Sequence, residues 1–159
     1  MHMTTTGFRT AASTAATIAT GLLAGSFYVF ACGVMPGLAR SSDTVFVEVM
    51  SDINEAIQNP VFMLSFLGAP VLTAIAAWQL RSAPGRRWMW AALVANVLAL
   101  LVTATLNIPL NETLGDARPP SEIREEFEDP WVAWNVVRTV LSTVALGCLA
   151  WAATARRRG

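Results

Sequence analysis

Four windows of this 159-residue chain, at approximately 11–35, 61–80, 88–106 and 131–155, stay apolar long enough to cross a hydrocarbon layer. Such a layer is ~30 Å thick and takes about 20 residues of α-helix to span. Inside it, backbone N–H and C=O groups must be satisfied within the segment, so continuous apolar runs of this length fold as helices. Composition agrees, with 54% hydrophobic and 14% charged residues, where a soluble domain carries roughly a quarter charged. The expectation is one all-α membrane domain over residues 1–159, an integral four-helix bundle. Segment 43–58 differs from the four windows. Phe46, Val49, Met50, Ile53 and Ile57 recur at helical spacing, with Glu48, Asp52 and Glu55 on the other side. This predicts an amphipathic helix between the first and second spans, lying at the interface or over the bundle mouth. Residues 107–130, ending in "GDARPPSEIREEFEDP", read as a solvated outer loop.

Orientation follows from arginine, the only basic residue type present besides His2. An even number of spans puts both termini on one side, with Arg9, Arg81, Arg86, Arg87, Arg156, Arg157 and Arg158 and no acid. The other side takes all eleven acids against Arg40, Arg118, Arg124 and Arg138. Positive residues in short loops stay inside, so the termini are expected to be cytoplasmic and the location the cell membrane. A secretory signal is the rival reading of the first window. Phe30 spoils the lipoprotein box that "VFAC" would otherwise suggest, and the run is longer than a signal needs.

His2 beside the initiator is set aside, which leaves no imidazole for a haem, a di-iron centre or a serine–histidine pair. No metal ligand set is expected. Cys32 and Cys148 fall near opposite ends of their helices, too far apart in depth for an intrachain disulfide. Asn111-Glu112-Thr113 fits the glycosylation tripeptide, a frequent chance match. In "GLLAG", Gly21 and Gly25 share a face that permits close helix approach, and Tyr28 and Cys32 continue it. Asn59-Pro60 is an N-cap followed by a first-turn proline, and Gly68 with Pro70 points to a kink in the second span. Asn96, Asn107 and Asn111 should turn inward, because an amide in hydrocarbon needs a partner.

The last window opens "WVAWNVVRTV". On a helix, Trp131, Trp134, Asn135 and Arg138 fall within an arc of about 100°. Arg138 lies ~10 Å below the helix start at 1.5 Å per residue. Either its guanidinium snorkels outward, or it faces inward as the floor of an outward-opening pocket, since intramembrane charge is costly unless paired or functional. Its partner would be Glu48, Asp52, Glu55, Glu112 or Asp116, or an anionic ligand.

"AGSFYVFACGVMPGL", "FVEVMSDINEAIQNPVF", "NIPLNETL" and "WVAWNVVRT", in this order among four spans, resemble the anthrone oxygenase-like integral membrane family over nearly the whole chain. The positions that match are Tyr28, Pro36, Asn54, Asn59, Asn107, Asn111, Trp134, Asn135 and Arg138. Many members carry histidine where this chain has Val136. The resemblance implies oxidation of an anthrone to an anthraquinone with molecular oxygen, and because an anthrone is a carbon acid whose enolate is electron-rich enough to react directly with oxygen, no cofactor is expected. Under that reading Glu48 or Glu112 is the base, Arg138, Asn135 and Asn107 face the developing oxyanion, and Trp131 and Trp134 offer flat surfaces to a fused-ring substrate. Tyr28, Asn54, Asn59 and Asn111 would complete the binding site. The competing reading is a non-catalytic protein that binds or moves a small amphipathic molecule, or a subunit of a membrane complex. Partners are the lipid bilayer, a small aromatic or amphipathic ligand and a second copy in a homo-oligomer. The arginines do not form a basic groove for nucleic acid.

Overall fold

The computed structural model describes residues 2–157, with the side chains of residues 7 and 10–155. The side chains of Arg9 and of Arg156, Arg157 and Arg158, which supply part of the charge asymmetry, lie outside the described residues. The architecture is an all-α four-helix membrane bundle with an amphipathic helix between the first and second spans. Its elements are α1 (His2–Val29), α2 (Met35–Leu38), α3 (Asp43–Ala56), α4 (Pro60–Gln79), α5 (Arg86–Val102), α6 (Ile108–Thr113) and α7 (Pro120–Arg157). Four helical stretches are long and apolar enough to cross a membrane: Thr10–Leu38, Pro60–Gln79, Arg86–Thr113 and Pro120–Ala155. Around the bundle α1 packs on α4, α4 on α5, α5 on α7 and α7 on α1, while α3 lies against α7. Leu22, Leu64, Val71, Val94, Leu101, Val140 and Val144 remain exposed on the outside, an apolar belt compatible with lipid.

Local chemistry sets the helix ends. Ser42 caps α3, its hydroxyl accepting from the Val45 N–H at 3.4 Å. Asn59 Oδ1 accepts from the N–H groups of Val61 and Phe62, both at 3.0 Å, with Pro60 in the first turn of α4. Gly85 enters α5 at φ +83°, and a Cβ there would stand 3.2 Å from the Ala152 carbonyl oxygen of α7. Left-handed backbone and close approach both demand glycine at that turn. The expected close contact at "GLLAG" is absent. A Cβ on Gly21 would meet Leu146 Cδ1 at an ordinary 3.8 Å, and one on Gly25 nothing within 4 Å.

Two features differ from the sequence expectation. The first and third spans do not stop at 35 and 106; each continues through a π-helical turn, Phe30–Val34 and Thr103–Asn107, into α2 and α6. The Met35 N–H bonds the Phe30 carbonyl, and the Ile108 N–H bonds the Thr103 carbonyl. Each π turn ends two residues before a proline, Pro36 or Pro109. A proline ring clashes with the carbonyl four residues back and cannot bond it, and widening the preceding turn accommodates both defects. Secondly, much of the supposed outer loop is helix. Its residues 120–130 form the first three turns of α7, which runs 38 residues straight past Pro130. Ile123, Phe127 and Trp131 bury there with Phe46, Val47 and Met50 of α3, so tertiary packing holds a helix that proline alone would interrupt.

Arg124 fastens this cap. Its guanidinium pairs with Asp43 at 3.0 Å and Glu128 at 2.6 Å, donates to the Ser41 and Ala39 carbonyls at 3.0 Å, and covers the Phe46 ring at 4.6 Å. Deeper in the bundle, Asn96 Nδ2 donates to Thr20 Oγ1 and Thr73 Oγ1, each at 3.1 Å, joining α1, α4 and α5. Replacing Asn96 with leucine is expected to cost about 0.6–1.7 kcal/mol, the range of inter-helix polar pairs inside membranes. Denaturant unfolding in mixed micelles measures it, and an unchanged midpoint would remove Asn96 as the clamp. Neither Cys32, exposed, nor Cys148, buried, is in a disulfide.

Candidate functional site

The buried stripe of α7 runs Phe127, Trp131, Asn135, Arg138, Ser142, Ala145, Leu149, Ala152, the three- and four-residue spacing of one helix face. Its polar part lies near the capped end, where α3 and α6 close the bundle. Arg138 is only 6% exposed and does not snorkel. Its Nη2 donates to Asn135 Oδ1 at 3.0 Å, and Asn135 Nδ2 in turn donates to the Phe27 carbonyl of α1 at 3.1 Å. The guanidinium carbon stands 4.5 Å from the Phe27 ring centroid and 5.3 Å from that of Trp131. From the other side, the π turn of α5 delivers Asn107, whose Nδ2 donates to the Trp131 carbonyl at 3.4 Å. Trp131 Nε1 donates to Asn111 Oδ1 of α6 at 2.7 Å, which fixes the indole against Phe127 and Phe30.

The cluster is incompletely satisfied. Arg138 Nε, Asn107 Oδ1 and Ser142 Oγ are shielded from solvent without a hydrogen-bond partner. The described ion pairs involve Arg118 and Arg124, and none reaches Arg138. A donor on an uncompensated positive charge and an acceptor on Asn107 thus stand open in this part of the bundle. Buried polar groups in native proteins are nearly always paired, so such a group of orphans marks a place for a ligand or ordered water.

Of the residues expected at the site, the structure gathers Asn107, Asn111, Trp131, Asn135 and Arg138. Trp134 sits at the edge of the face, 36% exposed. Tyr28 is 59% exposed on the outside of α1, not directed into a shared cavity. Glu48 and Glu112 are exposed, so neither carboxylate partners Arg138. Asn59 is spent as the cap of α4, its Nδ2 bonding the Ala56 carbonyl at 2.8 Å. Asn54 is half-buried on α3 with its Nδ2 unpartnered. Val136, where the resemblance puts histidine in many relatives, is 46% exposed on the far side of α7. Sequence reasoning missed Phe27, Ser142 and Arg124. Phe27 continues the buried stripe of Ala16, Thr20 and Leu23, and Ser142 is Arg138 plus one turn; both were open to the same periodicity count. A groove of about 390 Å³ lined by Gly147, Ala150, Trp151, Thr154 and Ala155 lies toward the other end, with Trp151 ~20 Å along α7 from Arg138 at 1.5 Å per residue. Among the described residues its lining carries no charged side chain.

Fold and site together define a four-span helical membrane protein that buries a lone guanidinium among amides and aromatic rings beneath a helical cap. A profile of the anthrone oxygenase family matches residues 62–148. That stretch covers more than half of the chain and contains most of α4, all of α5 and α6 and the site-bearing part of α7, and the protein belongs to this family. No match was found to a curated protein or to a solved structure.

Proposed function

We propose that the protein is a membrane-embedded, cofactor-independent oxygenase of an enolisable polycyclic phenolic, converting an anthrone-type methylene to a quinone carbonyl. In this reading the capped end faces outward from the cell membrane and both termini are cytoplasmic. The observation that carries it is Arg138, buried without a carboxylate partner among the described residues and oriented by Asn135. An enolate oxygen supplies the missing negative charge. A hydroxyl on the same ring system would donate to Asn107 Oδ1, and a flat arene suits the aromatic surroundings of the guanidinium.

The chemistry closes without a further reagent. Loss of one methylene proton gives the enolate, whose oxyanion is stabilised by Arg138. The enolate carbon gives electrons to O₂, forming a C–O bond and a peroxide that takes up a proton. Loss of the second hydrogen from that carbon, with cleavage of O–O, yields the carbonyl and water. With Glu48 and Glu112 exposed, water at the capped end is the first proton's acceptor, and Arg138 acts by favouring the ionised substrate. That lack of a carboxylate base at the cluster is also what favours the second reading, a protein that binds or moves an anionic amphipathic molecule without converting it.

The test is oxygen uptake and quinone absorbance with an anthrone and detergent-purified protein. A rate above the spontaneous background is expected. Asn107→Ala should lower it about ten- to a hundredfold, the effect of losing one buried hydrogen-bond partner worth about 1–3 kcal/mol. No enhancement by the unmutated protein rules out oxygenation of that substrate; saturable binding without turnover supports the second reading.

A further inference from the structure

The charge of Arg138 persists when no organic ligand is bound. An amide oxygen and two ring faces solvate it partly, but none carries a unit negative charge. Leaving a guanidinium uncompensated inside a bundle costs several kcal/mol. The described acids that hold arginines are committed elsewhere, Asp43 and Glu128 to Arg124, Asp116 and Glu126 to Arg118. Nε, shielded from solvent and without a partner, is a donor placed to bind the counter-charge.

We propose that the ligand-free protein holds a small inorganic monoanion of the halide class against Arg138 Nε, and that an organic anion must displace it. The geometry favours this class. One charge needs cancelling, so a dianion such as sulfate would leave a net negative charge in the same layer. The Phe27 and Trp131 ring centroids stand 4.5 and 5.3 Å from the guanidinium carbon, and a compact ion displaces less around these rings than a branched oxyanion. Asn107 Oδ1 is an acceptor and offers a second anionic oxygen nothing. The inference shares Arg138 with the oxygenase reading and rests on it for the displacement step, but anion binding itself requires no turnover.

The experiment follows thermal unfolding of the full chain in detergent as sodium gluconate is replaced by sodium chloride at constant ionic strength. A saturable rise of the unfolding temperature is expected for chloride and none for sulfate at matched ionic strength. Arg138→Met should abolish the chloride dependence. Equal unfolding temperatures in gluconate and chloride would overturn the proposal, and so would a chloride dependence that survives in Arg138→Met. Should that variant not fold, Arg138→Lys decides, because it keeps the charge but lacks the Nε donor: its chloride midpoint must rise, and an unchanged midpoint overturns the site. Chloride should also raise KM for an anthrone without lowering kcat. Chloride-dependent stability without quinone formation would defeat oxygenation alone, whereas turnover indifferent to chloride would defeat the displacement step alone.

Discussion

Arg138→Met is expected to stabilise the protein while abolishing its function. The substitution removes a buried charge whose presence inside the membrane costs about 2.5–3.5 kcal/mol even on the lenient insertion scales, and it fills the space with an unbranched chain of similar length. Against that gain stand the lost hydrogen bond to Asn135 and the ring contacts with Phe27 and Trp131. A charged hydrogen bond contributes about 1.5–3 kcal/mol and a cation–π contact about 0.5–2. The two sides are close, and what decides the sign is that no carboxylate among the described residues pairs with Arg138, so its removal strands no buried acid. Even whole buried ion pairs are commonly replaced by apolar groups of similar volume at no cost or with a gain of about 1–4 kcal/mol. The gain should be largest in gluconate, where no halide compensates the wild-type charge. Quinone formation should fall about 10²–10³-fold, as when an oxyanion donor is removed. Denaturant unfolding and an oxygen electrode read the two effects. A variant both less stable and still active would mean that Arg138 is a structural strut.

Much of this site was legible because helical periodicity turns spacing into direction. Trp131, Asn135 and Arg138 differ by four and three, and they share a buried face. Asn107 and Asn111 are amides in an apolar run, and the need for partners turned both inward, onto the Trp131 carbonyl and indole. What the sequence hid was set by contacts between distant segments. A proline inside a span signals a disturbed helix, but not that the turn before it widens, and it is the π turn at Thr103–Asn107 that ends on Asn107. Residues 120–130 look like loop because Pro130 precedes the apolar run and charges crowd it. Their apolar members, Ile123 and Phe127, are four apart and bury against a helix more than seventy residues earlier. Charge alone likewise suggested Glu48, Asp52, Glu55, Glu112 or Asp116 as partner of Arg138. All five are exposed, and of the acids that do pair with arginine, Asp43 and Glu128 meet Arg124 because α3 folds back over α7.

Phe127→Ala should produce the largest loss of stability available where α3 packs on α7. The ring is fully buried, edge-on to Phe46 of α3 at 6.1 Å and stacked with Trp131 at 5.9 Å. Truncating such a phenylalanine costs about 3–5 kcal/mol through lost burial and the cavity left behind. The neighbouring ion pairs of Arg124 are partly exposed, where a pair contributes about 0–1 kcal/mol, so they cannot hold α3 in place of the aromatic contact. Two consequences separate this from a general loosening. Protease cleavage and hydrogen exchange should rise within Asp43–Ala56 before α4 or α5 is affected, since Asn96 still ties those helices to α1. Trp131 would also lose the ring it stacks on, so the face against Arg138 becomes mobile and ligand affinity falls even with every polar group of the site intact. A loss below about 1 kcal/mol, with α3 still protected, would show that the cap is held by Arg124 and the Ser42 N-cap instead, and Arg124→Met would then have to release it.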